Sequence, residues 1–244
     1  MPALRIVSLV PSQTELLFDL ALDNEVVGIT KFCVHPEHWK ESKTIVGGTK
    51  NVKLDVIDSL KPDLVIANKE ENTKGDVEAL MKKYKVWVSD VRNVDDAYKM
   101  IRTVGDLTDK RTEADVLVSE IKNSFSEIEL PKIKSALYLI WRKPWMAAGS
   151  DTFINEMMRI AGFENVVVDI RYPDLSDEQI RGLNPEFVLL SSEPYPFKEQ
   201  HVDALKKLLP SSKVMLVDGE MFSWYGSRMR EMAGYFEELR TTAL

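Results

Sequence analysis

Leu60-Lys61-Pro62-Asp63-Leu64-Val65-Ile66-Ala67 returns later in the chain as Leu183-Asn184-Pro185-Glu186-Phe187-Val188-Leu189-Leu190. Both copies read Leu-x-Pro-acid followed by an apolar run, and each leads to a glutamate at the same place, Glu70 and Glu193. Two more phrases recur in the same order. Ser12-Gln13-Thr14-Glu15-Leu16 is echoed by Ser150-Asp151-Thr152-Phe153-Ile154, and Lys85-Val86-Trp87-Val88-Ser89-Asp90 by Lys213-Val214-Met215-Leu216-Val217-Asp218. Three echoes in one order predict two lobes built alike, and two α/β lobes make a cleft suited to a ligand.

Working outward, residues 5–10 alternate and are β-branched, which predicts a strand ended by Pro11. Ser12 with Glu15 has the spacing of a capping box for a helix to about Leu22. Leu64–Ala67 is apolar without alternation, as in a parallel strand buried on both faces. A helix near Lys74–Tyr84 and a strand at Val86–Ser89 complete the first lobe. Between residues 95 and 129 apolar positions recur at helical spacing. Gly105-Asp106-Leu107-Thr108-Asp109 is expected to divide this stretch into two helices, the second about 20 residues and ~30 Å long and ended by Pro131. In the second lobe Ser150 and Asp151 are read as helix caps, and Ser176 with Gln179 as a capping box. The fold class expected is α/β: two similar lobes with parallel sheets flanked by helices, joined by one long helix, with a ligand cleft between them. The divisions are 1–93, 94–131 and 132–244.

Composition narrows the function. A net charge of −7 argues against a general nucleic-acid partner, which needs a basic footprint. No apolar run approaches the ~20 residues of a membrane-spanning helix. Cys33 is the only cysteine, so an internal disulfide is impossible. Met1-Pro2-Ala3 leads at once into the first strand, so no signal segment is read; the chain is cytoplasmic as written, or Met1 stands where a leader was removed.

Ligands of open α/β sheets sit beyond the carboxyl ends of the strands. Phe32-Cys33-Val34-His35, Gly47–Asn51 and Asn68–Asn72 hold those places in the first lobe. Arg142–Trp145, Ser192–Phe197 and Gly219–Tyr225 hold them in the second. Their wealth of aromatic and charged side chains marks them as binding loops. The echoed acids Glu70 and Glu193 are expected on opposite walls of one cleft, facing each other across the opening, where they could hold a cation, a basic ligand group or a basic partner. Metal binding is a weaker reading. Cys33, His35 and His38 match no standard zinc spacing, and a surface histidine beside a small buried cysteine is the plainer account. Gly149-Ser150-Asp151 is neither a nucleophile elbow nor a P-loop, and His201 on a helix receives no role.

Arg5–Leu16, Val27-Gly28-Ile29-Thr30 and the Leu60–Ala67 phrase together resemble the class III periplasmic binding proteins. These are the substrate-binding components of cobalamin and iron-siderophore ABC importers, also called helical-backbone metal receptors. The resemblance spans nearly the whole chain and implies a ligand between the lobes, with no intrinsic cofactor. By position it implies a site of Phe32, Lys50, Lys69, Trp141, Trp145, Tyr172, Phe222, Trp224 and Arg228. His35, Glu70, Arg142, Glu193, Tyr195 and Tyr225 complete the expected set. Arg171 is a further arginine that could serve an iron-siderophore. The ligand implied is a corrinoid, haem or ferric siderophore; the partner implied is an ABC permease. Members dock on that permease through one acid per lobe, and Lys74 stands where the first is expected, leaving Asp76 or Glu78 to substitute. The alternatives are a cytoplasmic metal chelatase working through Cys33, His35 and Glu70, an offshoot that keeps only the binding fold, and a partner-binding module using the same aromatics.

Overall fold

In the computed structural model, residues 4–128 and 133–243 are described. The chain divides into two compact units. One gathers the residues through Val91, then Asp95–Ile121 and Tyr225–Arg228; the other holds Arg92–Val94, Lys122–Trp224 and the chain from Met229 onward.

The first unit begins with β1 (Ile6–Ser8), α1 (Pro11–Asp19), β2 (Val26–Ile29), α2 (Trp39–Ser42) and β3 (Thr44–Ile45). A small hairpin of β4 (Gly47–Gly48) and β5 (Asn51–Val52) follows, then α3 (Leu54–Leu60), β6 (Leu64–Asn68), α4 (Lys74–Met81) and β7 (Lys85–Ser89). Strand order is β3-β2-β1-β6-β7 and every pairing in this sheet is parallel. All five residues of β6 are buried, as its unbroken apolar run predicts. Val7, Leu9, Val46, Ile57, Val65 and Leu80 form one core cluster. Each such buried side chain contributes about 1.5–3 kcal/mol.

One local expectation is corrected at α1. The helix starts at Pro11, Val10 is its N-cap, and no side chain caps it. Proline's fixed φ suits the first helical position, so Ser12 lies inside the first turn and Glu15 is free to serve elsewhere.

The helical stretch forms α5 (Val94–Thr108) and α6 (Arg111–Ser126). The break falls within the expected stretch, at its last residue Asp109, whose φ is 59°, while Gly105 itself is helical. A Cβ on Gly105 would lie 2.6 Å from the Ala114 Cβ and 2.9 Å from the Lys110 carbonyl. Glycine is there because the start of α6 lies against it. With 16 residues α6 is shorter than expected, about 24 Å at 1.5 Å per residue. Pro131, expected to end it, lies outside the described residues.

The second unit contains β8 (Lys134–Trp141), β9 (Trp145–Ala147), α7 (Phe153–Ile160), β10 (Phe163–Asn165), β11 (Asp174–Leu175) and α8 (Asp177–Leu183). It continues with β12 (Phe187–Ser191), α9 (Glu199–Leu208), β13 (Lys213–Val217), α10 (Glu220–Ser223) and α11 (Met229–Ala243). Its sheet runs β11-β9-β8-β12-β13, with β10 beside the start of β8. The expected all-parallel sheet is corrected here: β9 pairs antiparallel with β8, and β11 antiparallel with β9. Only Arg142-Lys143-Pro144 separates β8 from β9. So short a connection makes a hairpin, whereas a parallel return needs a long crossover. Thr152 caps α7 through the Asn155 amide at 3.1 Å. Ser150, expected to cap it, instead donates its hydroxyl to the Val168 and Asp169 carbonyls. Asp151 is taken by Arg92 and Arg171. The capping box of Ser176 and Gln179 on α8 is present.

The repeated phrase does the same work in both units. α3 and α8 each end at its leucine, and the next residue, Lys61 or Asn184, adopts the left-handed conformation of a helix C-cap. The proline then prevents helix continuation. The acid accepts a backbone amide from the neighbouring strand: Asp63 from Arg5 at 2.8 Å, Glu186 from Ser135 at 3.0 Å. The following strands pair alike, Leu64 with Lys85 and Phe187 with Lys213. No helix among the described residues is long and apolar enough to cross a membrane.

Candidate functional site

In the first unit a floor of buried polar side chains lies under the strand ends. Asn68 at the end of β6 donates to the Ser89 carbonyl and hydroxyl at 3.0 Å each, and its carbonyl oxygen accepts the Glu70 and Glu71 amides. Asn72 accepts the Asn68 amide and donates to the Leu9 and Thr49 carbonyls. The wholly buried Gln13 donates to Ser89 Oγ at 2.5 Å. This network, in which only the Gln13 carbonyl oxygen is left without a partner among the described residues, fixes the loop that carries Lys69 and Glu70. Single-residue reading had no means to find it, although Asn68 and Asn72 are one helical turn apart in sequence.

On that rim Phe32 is 50% exposed, with the Lys31 ammonium 4.9 Å from its ring centre. Lys50 donates its ammonium to the Glu70 carbonyl, and Lys69 pairs with Asp90 at 2.8 Å. Burial, opposed by Lys50, holds the Glu71 carboxyl above the usual range. His35 is half-buried in the loop before α2.

The chelatase set does not assemble. Cys33 is fully buried, and its sulfur accepts the Thr14 hydroxyl at 3.0 Å and lies 3.2 Å from that of Thr30. Burial pushes the thiol up, away from the thiolate that metal binding needs. His38 packs edge-on against Phe18. Among the described residues no group of three or more His, Cys, Asp or Glu side chains could hold a metal ion.

The second unit carries an aromatic ledge. Trp141, at the end of β8, is 41% exposed and meets Tyr195 edge-on at 5.4 Å. Tyr195 in turn meets Phe197 at 4.8 Å, and Phe197 stacks on Trp145 at 6.3 Å with the rings 10° from parallel. The Arg142 guanidinium lies 5.0 Å from the Trp145 ring centre, a cation–π contact. The Trp145 indole donates to Asp177 at 2.8 Å. Behind the ledge the buried His201 accepts the Lys198 amide on Nδ1 at 2.8 Å, with Tyr195 Oη 3.2 Å from its Nε2. Sequence reading left His201 without a role; it ties the ledge to α9. Tyr172 is half-buried just before β11.

Phe222 departs from expectation. It is 0% exposed, set between Tyr138, Tyr235 and Phe236. It fills the core and offers no face to a ligand. Trp224 and Tyr225 are also buried. The Glu193 carboxylate is turned onto its own unit, accepting the Ser223 hydroxyl at 2.7 Å and the Trp224 indole at 2.8 Å. The expectation that Glu193 faces an opening is corrected by these two bonds, while Glu70 is fixed through its backbone, its amide by Asn68 and its carbonyl by Lys50. A Cβ on Gly219 would lie 2.3 Å from Ser191 Oγ, so only glycine lets this loop close on the end of β12.

Arg228 belongs to the first unit, where its guanidinium grips Glu15 at 2.9 and 2.5 Å. Both side chains are largely buried. Burial raises the Glu15 carboxyl and the hydrogen-bonded Arg228 opposes that rise.

A family model described as "Periplasmic binding protein" matches residues 6–210. An uncharacterized ABC transporter substrate-binding lipoprotein of Bacillus subtilis (strain 168) is 30% identical over 200 residues, covering 76% of this chain and 62% of the relative. The chain thus spans less than two thirds of that relative's length. A vitamin B12-binding protein of Vibrio vulnificus (strain CMCP6) is 26% identical over 204 residues, covering 78% of this chain and 72% of the relative. Among solved structures, a possible iron-binding (periplasmic solute-binding) protein from Staphylococcus epidermidis ATCC 12228 superposes with a TM-score of 0.80. It is 26% identical, and 97% of each chain is covered.

Proposed function

The chain belongs to the periplasmic binding protein family, and from that premise we propose that it captures a metal-containing small molecule for an ABC importer. The observation that carries this reading is the pre-packed aromatic ledge at the carboxyl end of β8, in which the exposed Trp141 rests on the half-buried Tyr195, with Arg142 against Trp145 beside it. Phe32 offers a second exposed aromatic at a strand end of the first unit, with Lys31 against it. Rigid aromatic faces bury a large area against a broad ligand at little entropic cost, and the adjacent cations suit its polar edges. A vitamin B12-binding relative and a structure described as a possible iron-binding protein support a corrinoid or a ferric siderophore as the ligand class, and haem is the third candidate of similar breadth. The ligand is cargo, bound by contact, and no chemistry is performed on it.

The partner we propose is the importer's permease, engaged outside the cytoplasm. Lys74 is exposed and pairs with Glu78 one helical turn away at 3.7 Å. Docking through α4 then falls to Asp76 and Glu78, and lysine at both positions should abolish it.

Absorption titrations with cyanocobalamin, haemin and a ferric hydroxamate siderophore test the reading. One of the three should give a saturable spectral change at one ligand per chain, lost in Trp141→Ala. Absence of saturable binding for all three overturns it.

A further inference from the structure

Between α10 and α11, both in the second unit, the chain leaves at Tyr225 and returns after Arg228. These four residues form a strap packed within the first unit. Gly226 has φ +128°, and a Cβ there would stand 3.3 Å from the Ser12 carbonyl and 3.6 Å from the Leu16 Cβ. The strap thus lies directly on α1. Its far end is fixed by the two hydrogen bonds from Arg228 to Glu15. Just before the strap, Glu193 holds Ser223 and Trp224. A carboxylate therefore anchors each side of the Trp224–Tyr225 junction, and neither anchor is visible as a pair in sequence.

Bidentate arginine–carboxylate pairs fix geometry as well as supply energy, because the planar fork accepts one orientation. A largely buried pair of this kind is a poor source of stability but a good determinant of a single conformation. We propose that Glu15 is a positioning residue for ligand binding: through Arg228 it holds the strap on α1 in the one arrangement that is competent to bind. Arg228 is then part of the clasp and does not contact the ligand. This rests on the ligand-binding reading above.

The test compares the wild type with Glu15→Gln, Arg228→Met and the double variant, using cyanocobalamin, haemin and the ferric hydroxamate as probes. Glu15→Gln should weaken binding of whichever probe the wild type takes by about tenfold or more, since pre-organisation is lost. Amide exchange should rise across residues 224–228 and stay unchanged in β12. The double variant leaves no unpaired buried charge, so it should regain thermal stability while keeping fast strap exchange and weak binding. Wild-type affinity and strap protection in the double variant overturn the proposal. So does weak binding by Arg228→Met with the strap still protected, which would make Arg228 a ligand contact. If the wild type binds none of the probes, the functional reading fails by itself. The exchange measurement then still decides the clasp: a strap as protected in Glu15→Gln as in the wild type overturns it, and a loosened strap supports it.

Discussion

Glu193 accepts the indole N–H of Trp224 at 2.8 Å, beside the Ser223 hydroxyl at 2.7 Å. Trp224 is buried, so its value lies in this bond as well as in its ring. Trp224→Phe keeps most of the apolar area and removes the donor. A partly buried carboxylate deprived of a hydrogen bond costs about 1–3 kcal/mol. Urea unfolding should show that loss with an unchanged slope; an unmoved midpoint would mean that another group satisfies Glu193.

Phe222 and Trp141 should separate stability from binding. Phe222 is enclosed by Tyr138, Tyr235 and Phe236, so Phe222→Ala leaves a cavity and should cost about 3–5 kcal/mol of folding stability. Trp141 is 41% exposed, so Trp141→Ala should alter folding by less than about 1 kcal/mol. Its cost should appear in ligand affinity, at about 2 kcal/mol or more, as for an interfacial anchor. Denaturant titration and ligand titration on both variants give the four numbers; a reversed pattern would remove Trp141 from the site.

Much of the fold was legible because the repeat is a structural device. Leu-x-Pro-acid encodes a helix end, a left-handed cap, a stop, and a carboxylate that takes the amide of the adjacent strand, and all of this is local except the last contact. The hairpin to β9 was not legible, because Arg142-Lys143-Pro144 reads equally as a ligand loop. Gly105 has the look of a breaker until the close approach of Ala114 is known. The site was legible as a set of loops and not as a set of roles. Glu15 and Arg228 are 213 positions apart, and nothing short-range joins them. Phe222 and Trp141 are both aromatic residues near strand ends, and only burial distinguishes them.

The repeat yields a further expectation. Lys61 (φ 46°) and Asn184 (φ 42°) both occupy the left-handed region. A side chain with a Cβ pays about 1–2 kcal/mol there, and asparagine pays least because it visits that region readily. Lys61→Gly should therefore stabilise the protein by up to about 1 kcal/mol, and Asn184→Gly by clearly less. Melting curves of the two variants check the order; equal or negative effects would show that the caps are not strained.

His201 makes stability depend on pH. Its Nδ1 accepts the Lys198 amide at 2.8 Å, which only a neutral ring allows. Burial, with the Arg142 charge behind it, holds the imidazole below its ordinary 6.5. The folded state thus binds this proton more weakly than the unfolded chain. Its contribution to stability is full above about pH 6.5, shrinks as pH falls through that value, and is gone below the lowered folded value. In His201→Gln an amide oxygen replaces the acceptor and does not titrate. The stability difference between wild type and this variant, from chemical unfolding at about pH 8 and about pH 5, should favour the wild type more at the higher pH. A difference that stays constant across that range would mean that His201 keeps its hydrogen bond when charged, or that the tie between the ledge and α9 does not depend on it.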